Sequence, residues 1–417
     1  ALPAMTFINF IAAAGGGGVT PPSAGLVSLF DTLSATSLPF ARLGPIAISD
    51  DGYTVFAIGL DGSTYKVWVW RWNGTSWPNL QMFTGTTSGD FASIPPADTA
   101  TYLVDMKANA DGSELIVGIG TAVSNDGVVL VFREATANTW SQAQRITSPA
   151  AGAGNFGFCV AAAGGRLAVG EPYKDLSGGA YRGRVHIYAD SGGTYTLEQS
   201  IDSDYPDTGS GANGIGNSVA FDSAASVLLT TGLDFDPFFI GSGVVSTYTR
   251  SGSTWAFEDR SYPPQDADGN AFTDPSSRGC ELTADGATAY IQSNVYDRIV
   301  KYTRAGGLTY ADSLDGPNFL TFSGEYSPSK PMRTTDDGSK FVVGSYQYST
   351  ADVQDGRIDV WSSEAWDTAL VHPTPGSFDH MGRGLDMTPD GAFVVWTVPQ
   401  GGAPATPVGD RVFMKVY

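Results

Sequence analysis

An all-β fold built by repetition is predicted by three features of this 417-residue sequence. A tight turn, most often Asp-Gly, recurs about every 56 residues between Asp51 and Asp390. Four short apolar or alternating segments accompany each turn, and no stretch carries a sustained 3.6-residue apolar period. The composition agrees, since 52 Gly and 24 Pro against 16% charged residues suit many short strands and turns. Seven copies of a four-stranded antiparallel unit are expected to close into a ring, a seven-bladed β-propeller. Radial repetition of that kind leaves only short, protected sheet edges.

Residues 1–23 read as an arm ahead of the repeats. Its TFINFI run has strand character and sets Phe7, Ile8, Phe10 and Ile11 close together. Gly15–Gly18 is a flexible joint, and Pro21-Pro22 stops regular structure. Residues 24–417 read as a single propeller. Its turns are Asp51-Gly52, Asp111-Gly112, Gly164-Gly165, Ala224-Ala225, Asp285-Gly286, Asp337-Gly338 and Asp390-Gly391. Asp-Gly supplies the positive φ that a tight hairpin demands.

A small, mixed strand precedes each turn, and an apolar strand such as VFAIGL or LIVGIG follows it. A variable loop then leads to an alternating third strand, as in GVVLVFRE, and a short turn to a fourth, often opened by Trp or Tyr, as in TWSQAQRI. Seven first, second and third strands face only six fourth strands. Gly25–Thr32 (GLVSLFDT) looks like a fourth strand with nothing before it, so it is expected to complete the last blade and close the circle. First strands are Gly- and Ala-rich because blades converge near the axis. Second strands are apolar throughout because they pack against both neighbours.

The fullest copy of the unit runs from Asn155 to Tyr188. Asn155-Phe156-Gly157, the LAVG of Leu167–Gly170, the Gly-rich loop and Arg184–Tyr188 resemble an FG-GAP repeat, the blade unit of integrin α-chain propellers. The layout is similar to repeats in exported bacterial proteins and phage virion proteins. Gly216–Ala220 keeps part of the motif, and the other blades keep only the strand and turn layout. The resemblance implies adhesion or scaffolding, usually without catalysis, and calcium held by an Asp-rich loop.

No blade has a complete copy of that loop. Asp266, Asp268 and Asn270, with Asp274 beyond, come nearest. Alternating oxygen ligands on a Gly-containing loop can wrap calcium, but Ser277 stands where an EF-hand-like loop wants a bidentate Glu. A solvated turn is the competing reading. Asp234 and Asp236 form a weaker pair. Phe235, Phe238 and Phe239 in the same stretch are a contact patch if exposed and core if tucked under the blade.

The formal net charge is −20, which repels phosphate backbones and anionic lipid, so nucleic acid is a poor partner. No run approaches the roughly 20 apolar residues of a membrane span. Cys159 and Cys280 fall on first strands of blades 3 and 5, with blade 4 between them, and are expected to be free thiols. His186, His372 and His380 match no zinc spacing and take structural or surface roles. Trp77 and Trp255 end turns like sialidase Asp boxes, but Trp72 and Arg250 replace the Asp, so both Trp are expected to plug between blades. No nucleophile elbow, Walker loop or dinucleotide fingerprint occurs.

The expected function is non-enzymatic. It is a structural or adhesive propeller of an extracellular assembly, in its specific form a virion surface or tail component of a phage or other virus. Rim loops would bind another subunit, a surface glycan or a receptor, and the arm would dock on a neighbouring subunit. The loops joining second to third strands are the candidate contacts: Asp61–Thr64, Thr121–Asp126, Glu171–Arg182, Asp234–Ser242, Ser345–Asp355 and Val398–Gly409. One alternative is a secreted or cell-surface, integrin-like adhesion protein with calcium-stiffened loops. Another is a propeller glycan hydrolase or lyase, which requires paired carboxylates.

Overall fold

Seven four-stranded antiparallel sheets form the ring. The computed structural model describes residues 20–29, 45–61, 64–92, 104–150, 152–176, 182–203, 215–232, 235–236, 239–240, 244–261, 279–292, 298–315, 332–345, 349–350, 353–354, 356–363, 365–370, 381–382, 384–398 and 411–417. Blade 1 runs Ile46–Ile48, Thr54–Asp61, Thr64–Arg71, Asn79–Phe83. Blade 2 runs Val104–Ala108, Glu114–Ile119, Val128–Thr136, Thr139–Thr147. Blade 3 runs Val160–Ala163, Arg166–Glu171, Arg184–Asp190, Tyr195–Asp202. Blade 4 runs Ile215–Phe221, Val227–Gly232, Val244–Ser251, Thr254–Ser261. Blade 5 runs Cys280–Leu282, Thr288–Gln292, Arg298–Arg304, Leu308–Asp315. Blade 6 runs Met332–Thr334, Lys340–Ser345, Arg357–Ser362, Ala365–Leu370. Blade 7 runs Leu385–Met387, Phe393–Val398, Arg411–Val416 and takes Gly25–Ser28 as its fourth strand. Gly25 lies opposite Val416 and Ser28 opposite Phe413, so a strand near the start of the chain closes the circle.

The recurring turn is held by its own side chains. Ser49, Thr283, Thr335 and Thr388 donate to the carboxylate two residues on, as in Thr335 Oγ1 to Asp337 Oδ1 at 2.8 Å. Each hydroxyl also accepts the N–H five residues on, as from Lys340 at 3.0 Å. Asn109 takes this place in blade 2. In blade 4 Asp222 accepts from Val227 N–H at 2.8 Å, and Ala225 holds φ 47° where the other blades use Gly. These side-chain hydrogen bonds replace the backbone pairing that a turn gives up.

Neighbouring turns are joined directly. Asp51 N–H donates to Ala110 O, Ser223 to Ala284 O, Ala284 to Asp336 O and Asp336 to Pro389 O, at 2.7–3.0 Å.

The core lies between the blades. Each of the seven apolar clusters draws its side chains from two adjacent blades, as Val55, Trp68 and Trp70 of blade 1 meet Val395, Val412 and Met414 of blade 7. Each fully buried aliphatic or aromatic side chain contributes roughly 1.5–3 kcal/mol, so the packed seams stabilise the ring. Trp140, Tyr195 and Trp255 open the fourth strands and are buried in these seams, as expected for Trp255. Trp77 is only half-buried against the seam of blades 7 and 1.

The outer strands are fastened by a second device. Gln81 Nε2 donates to Trp140 O at 2.9 Å while its Oε1 accepts Trp140 N–H at 2.6 Å. Gln144 brackets Tyr195 and Gln199 brackets Trp255 in the same way. Asp259, the equivalent residue of blade 4, only accepts, from Leu308 N–H at 2.6 Å. All four directly follow a β-bulge in the fourth strand, and blades 1–6 each carry that bulge. The bulge spoils the exposed edge as a template for pairing.

Two short helices, Ser88–Ala92 and Ala122–Asn125, depart from the all-strand reading. Phe91 and Ala122 are buried in the seam of blades 1 and 2, so the loop Thr121–Asp126 turns part of itself inward instead of standing wholly free for contact. The strand expected over Gly25–Thr32 is shorter, Gly25–Ser28.

Candidate functional site

Because strands alternate in direction, each of blades 1–6 sends two connections to each face of the ring, and blade 7 lacks only the turn between its third and fourth strands. One face carries the tight turns between first and second strands and between third and fourth strands. On the other face second strands end and third strands begin, and each blade hands over to the next. Two of these connections hold small ribbons. Phe235–Asp236 pairs with Phe239–Ile240 in blade 4, and Ser349–Thr350 with Val353–Gln354 in blade 6. Phe235 and Phe239 therefore lie on opposite strands of a ribbon on the long-loop face. Phe238, Asp234, the calcium candidates Asp266, Asp268, Asn270 and Asp274, the arm residues Phe7, Ile8, Phe10 and Ile11, and His372 and His380 lie outside the described residues. Among the described residues no group of three or more His, Cys, Asp or Glu is placed to hold a metal, and no helix is long and apolar enough to cross a membrane.

The axis carries charges that sequence reading did not single out. Arg333 of blade 6 donates through Nε to Asp386 Oδ1 of blade 7 at 2.6 Å, and through Nη1 to Glu281 Oε1 of blade 5 at 3.1 Å. Asp386 Oδ2 accepts Ile48 N–H of blade 1 at 2.9 Å, and Asp105 Oδ2 accepts Val160 N–H of blade 3 at 2.9 Å. Lys107 of blade 2 reaches Asp50 at 3.4 Å. Burial works against the Arg333 guanidinium, but Asp386, Glu281 and Asp105 raise its pKa further above its already high value. Burial would likewise lower the Lys107 ammonium, yet Asp50, Asp386 and Glu281 leave it raised. At the tight-turn mouth, partial burial and the nearby Asp50 push the Asp336 carboxyl up. Chemically, this set binds blades to one another through complementary charge. The signal was present in the sequence: Lys107, Glu281, Arg333 and Asp386 each stand two residues before the Asn, Ser or Thr that opens the turn, where Ala47 stands in blade 1.

The FG-GAP-like stretch has a structural counterpart at three junctions. Gly127 bridges Phe156, Gly183 bridges Ile215, and Gly356 bridges Met381, each across two blades. A Cβ on Gly118, Gly170 or Gly344 would sit 2.1–2.3 Å from the carbonyl oxygen of Gly157, Gly216 or Gly382. Only glycine permits that approach. The third junction, at Met381-Gly382, escaped the sequence reading because its Phe is replaced, although Gly344 and Gly356 mark it.

His186 is buried in blade 3. Its Nε2 lies 2.8 Å from Glu171 Oε2 and its Nδ1 2.9 Å from Ser200 Oγ. Burial lowers its pKa against the opposing pull of Glu171, so it serves as a neutral link inside the sheet. Cys159 and Cys280 are buried and form no disulfide, and their Sγ atoms donate to Gly216 O and Ser218 Oγ, each at 3.2 Å.

No protein-family model and no curated protein matches the sequence. Solved structures match in fold. The β-propeller domain of Cps50 (Swd1) from Myceliophteria thermophila superposes with a TM-score of 0.58 at 9% identity, covering 92% of this chain and all of that domain. Kuenenia stuttgartiensis hydrazine synthase matches at 0.53 and 10% identity over 88% of this chain and 95% of that one. An oligogalacturonate lyase in complex with manganese matches at 0.53 and 11% identity over 94% and 93%. At such identities the likeness is one of fold, the seven-bladed propeller.

Proposed function

We propose that this propeller works by rigid display, as a binding scaffold without catalysis in an extracellular assembly, in its specific form a virion surface or tail component. The observation that carries the reading is the division of labour between the two faces. The tight-turn face is hydrogen-bonded from turn to turn, while the variation in connection length, with both ribbons, falls on the other face. A rigid ring presenting variable loops from one face is suited to recognising a surface, because the ring itself loses little freedom on binding. The charged axis supports the same reading, since its carboxylates pair with Arg333, Lys107 and backbone N–H groups that fasten blades together.

The partner class is other protein subunits, with the apolar arm added to a neighbour's sheet or groove. The test compares three chains by light scattering: the full chain, one lacking residues 1–23, and one with residues 234–242 shortened to a Gly-Ser turn. The full chain should assemble, and both variants should keep its circular dichroism while losing mass. Three monomers of equal mass would refute the reading.

A further inference from the structure

Lys174 stands at the root of the long loop of blade 3, three residues beyond Glu171, and only 4% of its surface is exposed. Its Nζ donates to Ala150 O at 2.8 Å and Gly152 O at 3.0 Å, and lies 3.4 Å from Glu171 Oε1. Glu171 is fully buried. Ser148 Oγ lies 2.9 Å from the same Oε1, and Oε2 is taken by His186. The cage thus joins three pieces of chain: Ser148, Ala150, Gly152 and Gly154 after the last strand of blade 2, the end of the second strand of blade 3, and the start of the loop that follows it. Tyr173 N–H to Gly154 O at 3.2 Å and Arg182 N–H to Lys174 O at 3.0 Å close it on either side.

Two peptide carbonyls and a carboxylate are hard oxygen donors, the donor type that holds a bound cation. An ammonium offers three N–H groups, and among the described residues the Ala150 and Gly152 carbonyls and the Glu171 carboxylate face them. A buried carboxylate without a counter-charge is strongly destabilising, so Glu171 needs a cation at this point. We infer that Lys174 is a tethered cation seated in an oxygen-lined cation site, and that this site accepts a free monovalent cation, potassium or methylammonium, once the lysine side chain is removed. The donor set favours a monovalent ion. Glu171 supplies a single negative charge, and the Ala150 and Gly152 carbonyls that share the site supply none. The root of this loop is therefore ordered by the chain itself and does not depend on chelatable metal.

The experiment uses the full chain and Lys174→Ala, melted with potassium, methylammonium, calcium or choline chloride at constant ionic strength. The wild type should be indifferent to the choice of cation and to a chelator. Lys174→Ala should melt about 5 °C lower in choline, which is too large for the cage. Potassium or methylammonium should restore at least half of that loss with saturation. The double variant Glu171→Gln with Lys174→Met, which removes both charges and refills the space, should melt close to wild type and ignore every cation. If Lys174→Ala does not fold alone, refolding yield against methylammonium replaces the melt. A melting temperature unchanged by Lys174→Ala, recovery by calcium alone, or failure of every cation while the double variant folds would overturn the inference.

Discussion

Replacing Gln199 by alanine removes one bracket between the outer strands of blades 3 and 4. Gln199 Nε2 donates to Trp255 O at 2.9 Å, and Gln199 Oε1 accepts Trp255 N–H at 2.7 Å. Trp255 is buried at the seam, so water is poorly placed to substitute. Each lost hydrogen bond costs about 1 kcal/mol net, and more where a backbone group is left unpaired, which puts the variant about 2–3 kcal/mol below wild type. Gln199→Glu keeps the acceptor for Trp255 N–H but sets a carboxylate against Trp255 O, so it should fall at least half as far. Asp312 of blade 5 is the natural control. It occupies the same place after its bulge, but among the described residues its carboxylate accepts only from the neighbouring Ser313 N–H at 2.8 Å.

The last hairpin of blade 6 has two pairs beyond the bulge where blade 4 has four, and among the described residues none of blade 6 is bracketed by Asp312. Asp312→Ala should therefore change stability by less than about 0.5 kcal/mol. Urea unfolding followed by tryptophan fluorescence measures the loss, and hydrogen exchange over Tyr195–Asp202 and Thr254–Ser261 localises it. Equal effects of Gln199→Ala and Asp312→Ala, or no effect of the former, would refute the bracket.

The axis yields two further tests. Arg333→Met strips the partner from buried Asp386 and from Glu281, and should cost about 3–5 kcal/mol, read as a lower thermal midpoint. An unchanged midpoint would show that the pairs contribute nothing. Asp336→Asn should act in the opposite direction. Partial burial and Asp50 raise the Asp336 carboxyl above its ordinary value, so its ionised form is less favourable in the folded chain than in the unfolded one. The stability attached to that shift is present at acid pH and is lost as pH rises through the raised value. The variant should therefore gain a few tenths of a kcal/mol at pH 7, the gain being small because the site is open to solvent. The gain should vanish below about pH 4. A gain independent of pH would refute the like-charge account.

What the amino-acid sequence determined was everything that depends on near neighbours along the chain. The turn Thr335-Asp336-Asp337-Gly338 closes through hydrogen bonds spanning two to five residues, so its chemistry is written in four letters and repeats visibly. Strand alternation is equally local, and a count of strands sufficed to place Gly25–Ser28 against Arg411–Val416. What only the tertiary structure decided lies across the seams. Gln81, Gln144 and Gln199 reach partners 59, 51 and 56 residues away. Arg333 of blade 6 joins its two neighbours, blades 5 and 7, and Lys174 finds carbonyl oxygens on the crossover from the preceding blade. A glutamine on an exposed strand or a lysine in a loop reads as surface until the ring brings a neighbouring blade against it. Desolvation then makes each unpaired polar group costly, and complementary placement becomes decisive.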